Sequence, residues 1–144
     1  MTMASGLYVA TIRDGLKNAI ALDVTSVLNK VAMYTNSLTP NFNADPSSYS
    51  ATNEVNGTGY TAGGIVIASP TLTISGGNLV FDIADSAWAS STITNARGAT
   101  IYADGLTPKA NQVTVDFGAD FSTVAGTFTI QWPAGGVWAI DLVP

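Results

Sequence analysis

The chain has no cysteine and no histidine. Without cysteine there are no disulfides, no zinc-thiolate sites and no thiol chemistry, and the redox compartment is left open. Without histidine the usual general base at neutral pH, the commonest metal ligand and every histidine-containing triad or dyad are excluded. Charge is scarce as well: 10% of the 144 residues are Asp, Glu, Lys or Arg, against about 25% in a typical soluble domain. Five cations face ten carboxylates, a formal net charge of −5. No Lys or Arg cluster occurs, which argues against a nucleic-acid partner because phosphate binding needs grouped positive charge. No apolar run approaches the ~20 residues of a membrane-spanning helix, so no membrane partner is expected. "MTMASGLYVATIRDG" lacks the charged and continuously apolar regions of a secretory signal, and the chain reads as soluble and made in the cytosol. Repeats of fixed period and single-residue tracts are also missing.

What is present is a hydrophobic share of 47% on a background of Thr, Ser, Asn and Gly. Neutral surfaces of that kind usually end in contact with other protein, so a homo-oligomer is expected. The length suits a single domain over residues 1–144, large enough to bury roughly two thirds of the surface of the unfolded chain. Three regions divide it: an N-terminal arm and helix over 1–22, a long polar loop over 37–61, and a main β region over 63–144.

In the first region Leu7, Ile12, Leu16, Ala19 and Ile20 recur at near-helical spacing, with Ser5 available as an N-cap. "SVLNKVAMYTN" then reads as a strand. The polar stretch from Ser37 to Thr61 is too long for an ordinary connection and is expected as a packed or functional loop on the surface. After residue 63 eight short strands follow, "GIVIAS", "TLTI", "LVFDI", "STIT", "GATIYA", "QVTVDFG", "GTFTIQW" and "VWAIDLV", mostly with period two. "SGGN" and "PAGG" carry glycines suited to tight hairpin turns. The pattern predicts an all-β fold, a mostly antiparallel sandwich or barrel-like, jelly-roll-like arrangement, with one short N-terminal helix.

The densest motif is "NEVNGTGYTAGG", residues 53–64, with four glycines in its last eight positions. A dinucleotide fingerprint requires G-x-G-x-x-G between a strand and a helix. Here the spacing is wrong, a strand follows, and no Gly-Lys-Ser/Thr ends the loop. Its glycines are therefore expected to be geometric: Asn56 and Gly57 turn the chain, Tyr60 anchors it, and Gly63 with Gly64 let the next strand pack closely. "DFG", Asp116 to Gly118, lacks the rest of a kinase and reads as a strand end. The pairs Asp82 with Asp85 and Asp116 with Asp120 could in principle serve glycoside hydrolysis or calcium. Neither spacing forms an EF-hand loop, and Asp beside turns usually bonds the backbone. No catalytic residue, cofactor or metal ligand is assigned, and no enzyme is expected.

Among the aromatics, Trp132 and Trp138 alternate with Ile and Leu and are expected in the core. Tyr49, Tyr60 and Trp88 lie in irregular segments and are candidate contact residues. Leu7, Tyr8 and Ile12 of the arm are candidates too, either for a neighbour or for the chain's own sheet. Arg97, one of few cations, calls for a carboxylate, either Asp85 or one on a neighbouring subunit.

"NEVNGTGYTAGG", "DIADSAWASSTITNARGATIY" and "VDFGADFSTVAGTFTIQWPAGGVWAIDL", preceded by "LKNAIALDVTSVLNKVAMYTNSLTPN", together resemble a family of small virion proteins of tailed bacteriophages. The resemblance spans nearly the whole chain and rests on the ordered combination rather than on one motif. It implies a structural protein of the virion, a capsid decoration or cement protein on the outer surface of the head. Its partners would be the major capsid protein and copies of itself, with a trimer expected. A tail, fibre or host-surface binding module is the alternative. A small hydrolase using Asp82 or Asp116 is the third and weakest reading.

Overall fold

The computed structural model describes residues 2–144; residue 1 of the N-terminal arm lies outside them. The strands, in chain order, are β1 (Gly6–Leu7), β2 (Asn29–Tyr34), β3 (Gly57–Thr58), β4 (Ile65–Val66), β5 (Thr71–Ser75), β6 (Asn78–Asp82), β7 (Ser86–Ala103), β8 (Asn111–Ile130) and β9 (Trp138–Asp141). One helix, α1 (Val9–Leu16), follows β1. All pairings are antiparallel. A six-stranded sheet runs β1-β8-β7-β2-β4, with β3 also on β7, and a three-stranded sheet runs β5-β6-β9. The fold is mostly β, with two sheets and one short N-terminal helix; neither sheet closes into a barrel.

The main core lies where the sheets share apolar side chains. Val31 and Met33 of β2, Ile93 and Ile101 of β7 and Phe128 and Ile130 of β8 pack with Phe81 and Ile83 from the small sheet and the segment after it. Each fully buried side chain of this size contributes about 1.5–3 kcal/mol before entropy is charged against it. Alternation along β2 sends Ala32 and Tyr34 to the opposite face, where they join Met3, Tyr102, Leu38 and Tyr49. The large sheet is thus covered on both sides, once by the small sheet and once by the N-terminal segment and the polar loop. That is why β2 is buried at nearly every position. The loop, expected on the surface, is instead partly built into the fold: Ser47 and Val55 are buried, and Tyr34↔Glu54 and Ser48↔Ala110 bridge it to the strands.

The helix is shorter than its hydrophobic spacing suggests. Leu7 belongs to β1, paired with Val113, and Asn18 at φ 56° ends the helical run. Ser5 is not the N-cap. Tyr8 occupies that position without a side-chain cap bond, while Ser5 Oγ accepts the Asp116 N–H at 2.9 Å.

Two pairs of expected short strands are fused. "STIT" and "GATIYA" lie within the 18-residue β7, and "QVTVDFG" and "GTFTIQW" contribute to the 20-residue β8. Polar and glycine-containing stretches that read as turns are absorbed as irregularities of the ladder, with Ser90, Asn95, Gly118 and Ala125 at positive φ. "SGGN" forms the β5–β6 hairpin: Gly76 and Gly77 have φ 56° and 85°, as a two-residue primed turn requires. "PAGG" does not form a hairpin, because β9 pairs with β6 rather than with β8; it carries the chain from one sheet to the other.

Candidate interaction surfaces

The polar loop is held by the only glutamate of the sequence. Tyr49 Oη donates to Glu54 Oε2 at 2.7 Å. Tyr60 Oη donates to Oε1, and the Gly63 N–H donates to that same oxygen at 2.8 Å. Tyr60 Oη in turn accepts the Met33 N–H of β2 at 3.0 Å. Two further tyrosines close the cluster: Tyr102 donates to the Gly63 carbonyl at 2.7 Å and Tyr34 to the Ser50 carbonyl at 2.8 Å. Tyr49 stacks on Tyr102 with centroids 4.4 Å apart. The expected anchoring role of Tyr60 is therefore present, but Glu54 is the centre that unites it with Tyr49 and Gly63.

Burial, reinforced by the Glu54 carboxylate, pushes the hydroxyls of Tyr34, Tyr49 and Tyr60 well above the ordinary tyrosine range. Tyr102 moves the same way through burial and then Asp104. An acid whose folded pKa is raised supplies stability that is full below its unfolded value, about 10, and lost as pH rises above it. Each tyrosine still protonated in the fold then withdraws about 1.4 kcal/mol per pH unit. Tyrosinate absorbance is accordingly expected to rise in one cooperative step above pH ~10, together with loss of the β circular-dichroism signal. Reversible ionisation near pH ~10 with the fold intact would contradict this burial.

The glycines of the same motif meet backbone. A Cβ on Gly57, at φ 136°, would overlap the Thr92 carbonyl oxygen, and one on Gly64, at φ 74°, would overlap that of Val31. Both sites demand positive φ and close approach at once. The close approach expected at Gly64 is present, but Asn56 and Gly57 do not turn the chain as expected: Gly57 lies in β3, paired with Ile93 of β7, and the turns fall at 52–53 and at Gly59.

Arg97 is paired within its own chain, with Asp116 and Asp120 rather than with Asp85. Its Nε lies 2.9 Å from Asp116 Oδ1 and its Nη1 3.3 Å from Asp120 Oδ1. Ala96 pairs with Phe121 and Gly98 with Asp116, so Arg97 alone faces residues 117–120, and its guanidinium spans that wide bulge. Asp116 also accepts the Gly118 N–H at 2.9 Å; that bond and, secondarily, Arg97 hold its carboxyl below the ordinary range. Asp85 accepts the Trp132 N–H at 3.0 Å and Asp82 the Ile83 N–H at 2.9 Å. Arg97→Ala is expected to loosen the bulge locally, read as faster amide exchange over residues 117–121 with a nearly unchanged melting midpoint.

Other candidate contact residues are spent on packing. Tyr8 is buried, with Oη 2.9 Å from Thr114 Oγ1 and its ring against Phe42. Trp88, expected at an interface, is 3% exposed and sits between Tyr60 and Phe128 in the core. Burial alternates from Ser86 to Trp88, but in the sequence the small residues around Trp88 leave no apolar alternation to show it. Leu7 packs partly buried against the core, Ile12 is half-buried on α1, and Trp132 and Trp138 also pack against the core as expected.

The exposed apolar side chains lie elsewhere. Leu72 and Ile74 of β5 and Phe121 and Val124 of β8 are among them. Beside β8 lies an open concavity of about 380 Å³ lined by Phe117, Phe121, Phe128 and Ile130 together with Thr and Ser hydroxyls. Comparison of the chain with known protein families, with curated proteins and with solved structures finds no match. Among the described residues no group of three His, Cys, Asp or Glu stands close enough to hold a metal ion, and no helix is long and apolar enough to cross a membrane.

Proposed function

We propose that the chain is a structural protein of a bacteriophage virion, a decoration or cement protein that binds the assembled head and copies of itself. One observation carries the reading beyond the sequence resemblance: the fold spends most of its charge internally and leaves neutral, apolar strand edges outside. Arg13 is bound to Asp14 and Asp45, Lys30 and Lys109 to Asp104, and Arg97 to Asp116 and Asp120. Glu54 is engaged by two tyrosines and a backbone amide. The side chains best suited to chemistry are thereby fixed, while Thr, Leu, Ile and Phe remain for contact. Such a part stabilises a shell by mass action, through its preference for the closed shell over free subunits.

The test is addition of the purified chain to heads assembled without it. Saturable binding in a fixed ratio to the major capsid protein, with a higher temperature of shell disruption, is the expected result. Binding to host cells or glycans without binding to heads would replace this reading with a tail or fibre module.

A further inference from the structure

Two short stretches of free strand edge, residues 127–130 of β8 and the whole of β5, carry no charge. Beyond Val115, among the described residues, β8 pairs with β7 alone. Its bulged part ends near Gly126, after which Phe128, Thr129 and Ile130 pair regularly with Trp88, Ala87 and Ser86. Along this free edge lies the concavity of about 380 Å³. Five consecutive residues, Thr127 to Gln131, line it, although their side chains alternate between the two faces of the sheet. The hollow therefore follows the edge of the strand rather than either face, which is where an added strand would lie. Natural sheets usually protect such edges with lysine, proline or an inward charge. From Phe121 to Gln131 there is none.

The second edge is β5. It pairs only with β6, and all five of its residues, Thr71 to Ser75, are exposed. Leu72 and Ile74 stand opposite Phe81 and Leu79, on the face that carries Phe81 into the core, yet they overhang it: Ile74 is 85% exposed. Among the described residues little covers Ile74, Leu72 is 41% exposed, and the segment "TLTIS" carries no charge.

We infer that β5 of one copy adds as a strand to the free edge of β8 in a second copy, with Ile74 and Leu72 entering the hollow beside Phe117 and Phe121. Length and charge favour a second copy as the occupant. The free end of β8 offers four residues, Thr127 to Ile130, to the five of β5, an overlap of ~13 Å, and neither presents a charge that the other would have to desolvate. The contact is heterologous, since different surfaces of the two copies meet. One such short strand pair buries well under the ~1,200 Å² of a standard interface. A lone contact is therefore weak, and a closed ring in which every copy gives one β5 and receives one is the stable form. The inference concerns the isolated chain and stands without the virion reading.

The test uses the absence of native cysteine. Ile74→Cys and Phe121→Cys chains, co-expressed and treated with a short bismaleimide, are expected to give a covalent pair containing one of each. A cross-link only between two Phe121→Cys chains would mean two-fold pairing of β8 with itself and would overturn the inference. Native mass spectrometry of the unaltered chain is expected to show a closed oligomer, and a monomer at every concentration would overturn it equally. Ile74→Asp, at an exposed position and checked for an unchanged melting midpoint, is expected to weaken association by at least ~30-fold, as for a central anchor. Unchanged association would exclude β5 from the contact.

Discussion

Gly64→Ala is expected to destabilise the chain by at least about 4 kcal/mol, in the range reserved for a specific structural conflict. Gly64 has φ 74°, and a Cβ there would strike the Val31 carbonyl and come within 2.8 Å of Ala32 Cα. Those atoms belong to the backbone of β2 at the centre of the fold, so no side-chain rotation relieves the overlap. Relief requires β4 to leave β2, breaking the Val31↔Ile65 and Lys30↔Val66 pairs and pulling on the Gly63 amide held by Glu54. Gly76→Ala is the control, because Gly76 also has positive φ, 56°, but nothing lies within 4 Å of its added Cβ. That variant is expected to cost only the conformational strain, about 1 kcal/mol. Urea unfolding of both measures the difference. Equal midpoints would mean that β4 does not approach β2 as described.

Glu54→Ala is expected to cost about 3 kcal/mol, since hydrogen bonds to a charged group contribute about 1.5–3 kcal/mol each and do not add fully. The loss reaches beyond the carboxylate itself. Tyr49 and Tyr60 hydroxyls and the Gly63 N–H lose their acceptor together, in surroundings where burial already disfavours any charge on the tyrosines. Glu54→Gln keeps the shape and one acceptor oxygen and is expected to fall between the two. A Glu54→Ala chain with the parent's unfolding midpoint would show that the loop is held by its apolar contacts alone.

Sequence reasoning reached the β class, the Gly76–Gly77 hairpin and the close approach at Gly64, because each depends on local chemistry: period-two alternation, or positive φ that glycine tolerates. It missed what depends on distant pairing. β7 and β8 looked like four strands because Asn95, Arg97 and Gly118 resemble turn residues; only their partners across the ladder turn them into bulges. Arg97 could be seen to need a carboxylate, but Asp116 and Asp120 are near it only because β8 folds back along β7. Glu54 was visible as a lone glutamate, yet its role needs Tyr49, Tyr60 and Gly63 brought to one point by the loop. Trp88, flanked by Ala and Ser, lacked the apolar contrast that marks a core strand.

For the proposed virion role, the decisive quantity is the copy number and position of the chain on purified particles of a phage whose genome carries its gene, measured by particle imaging with quantitative mass spectrometry. The expected result is density for this fold spread over the outside of the head, at an abundance comparable to that of the major capsid protein. A few copies confined to the tail tip, or none in the particle, would contradict the assignment.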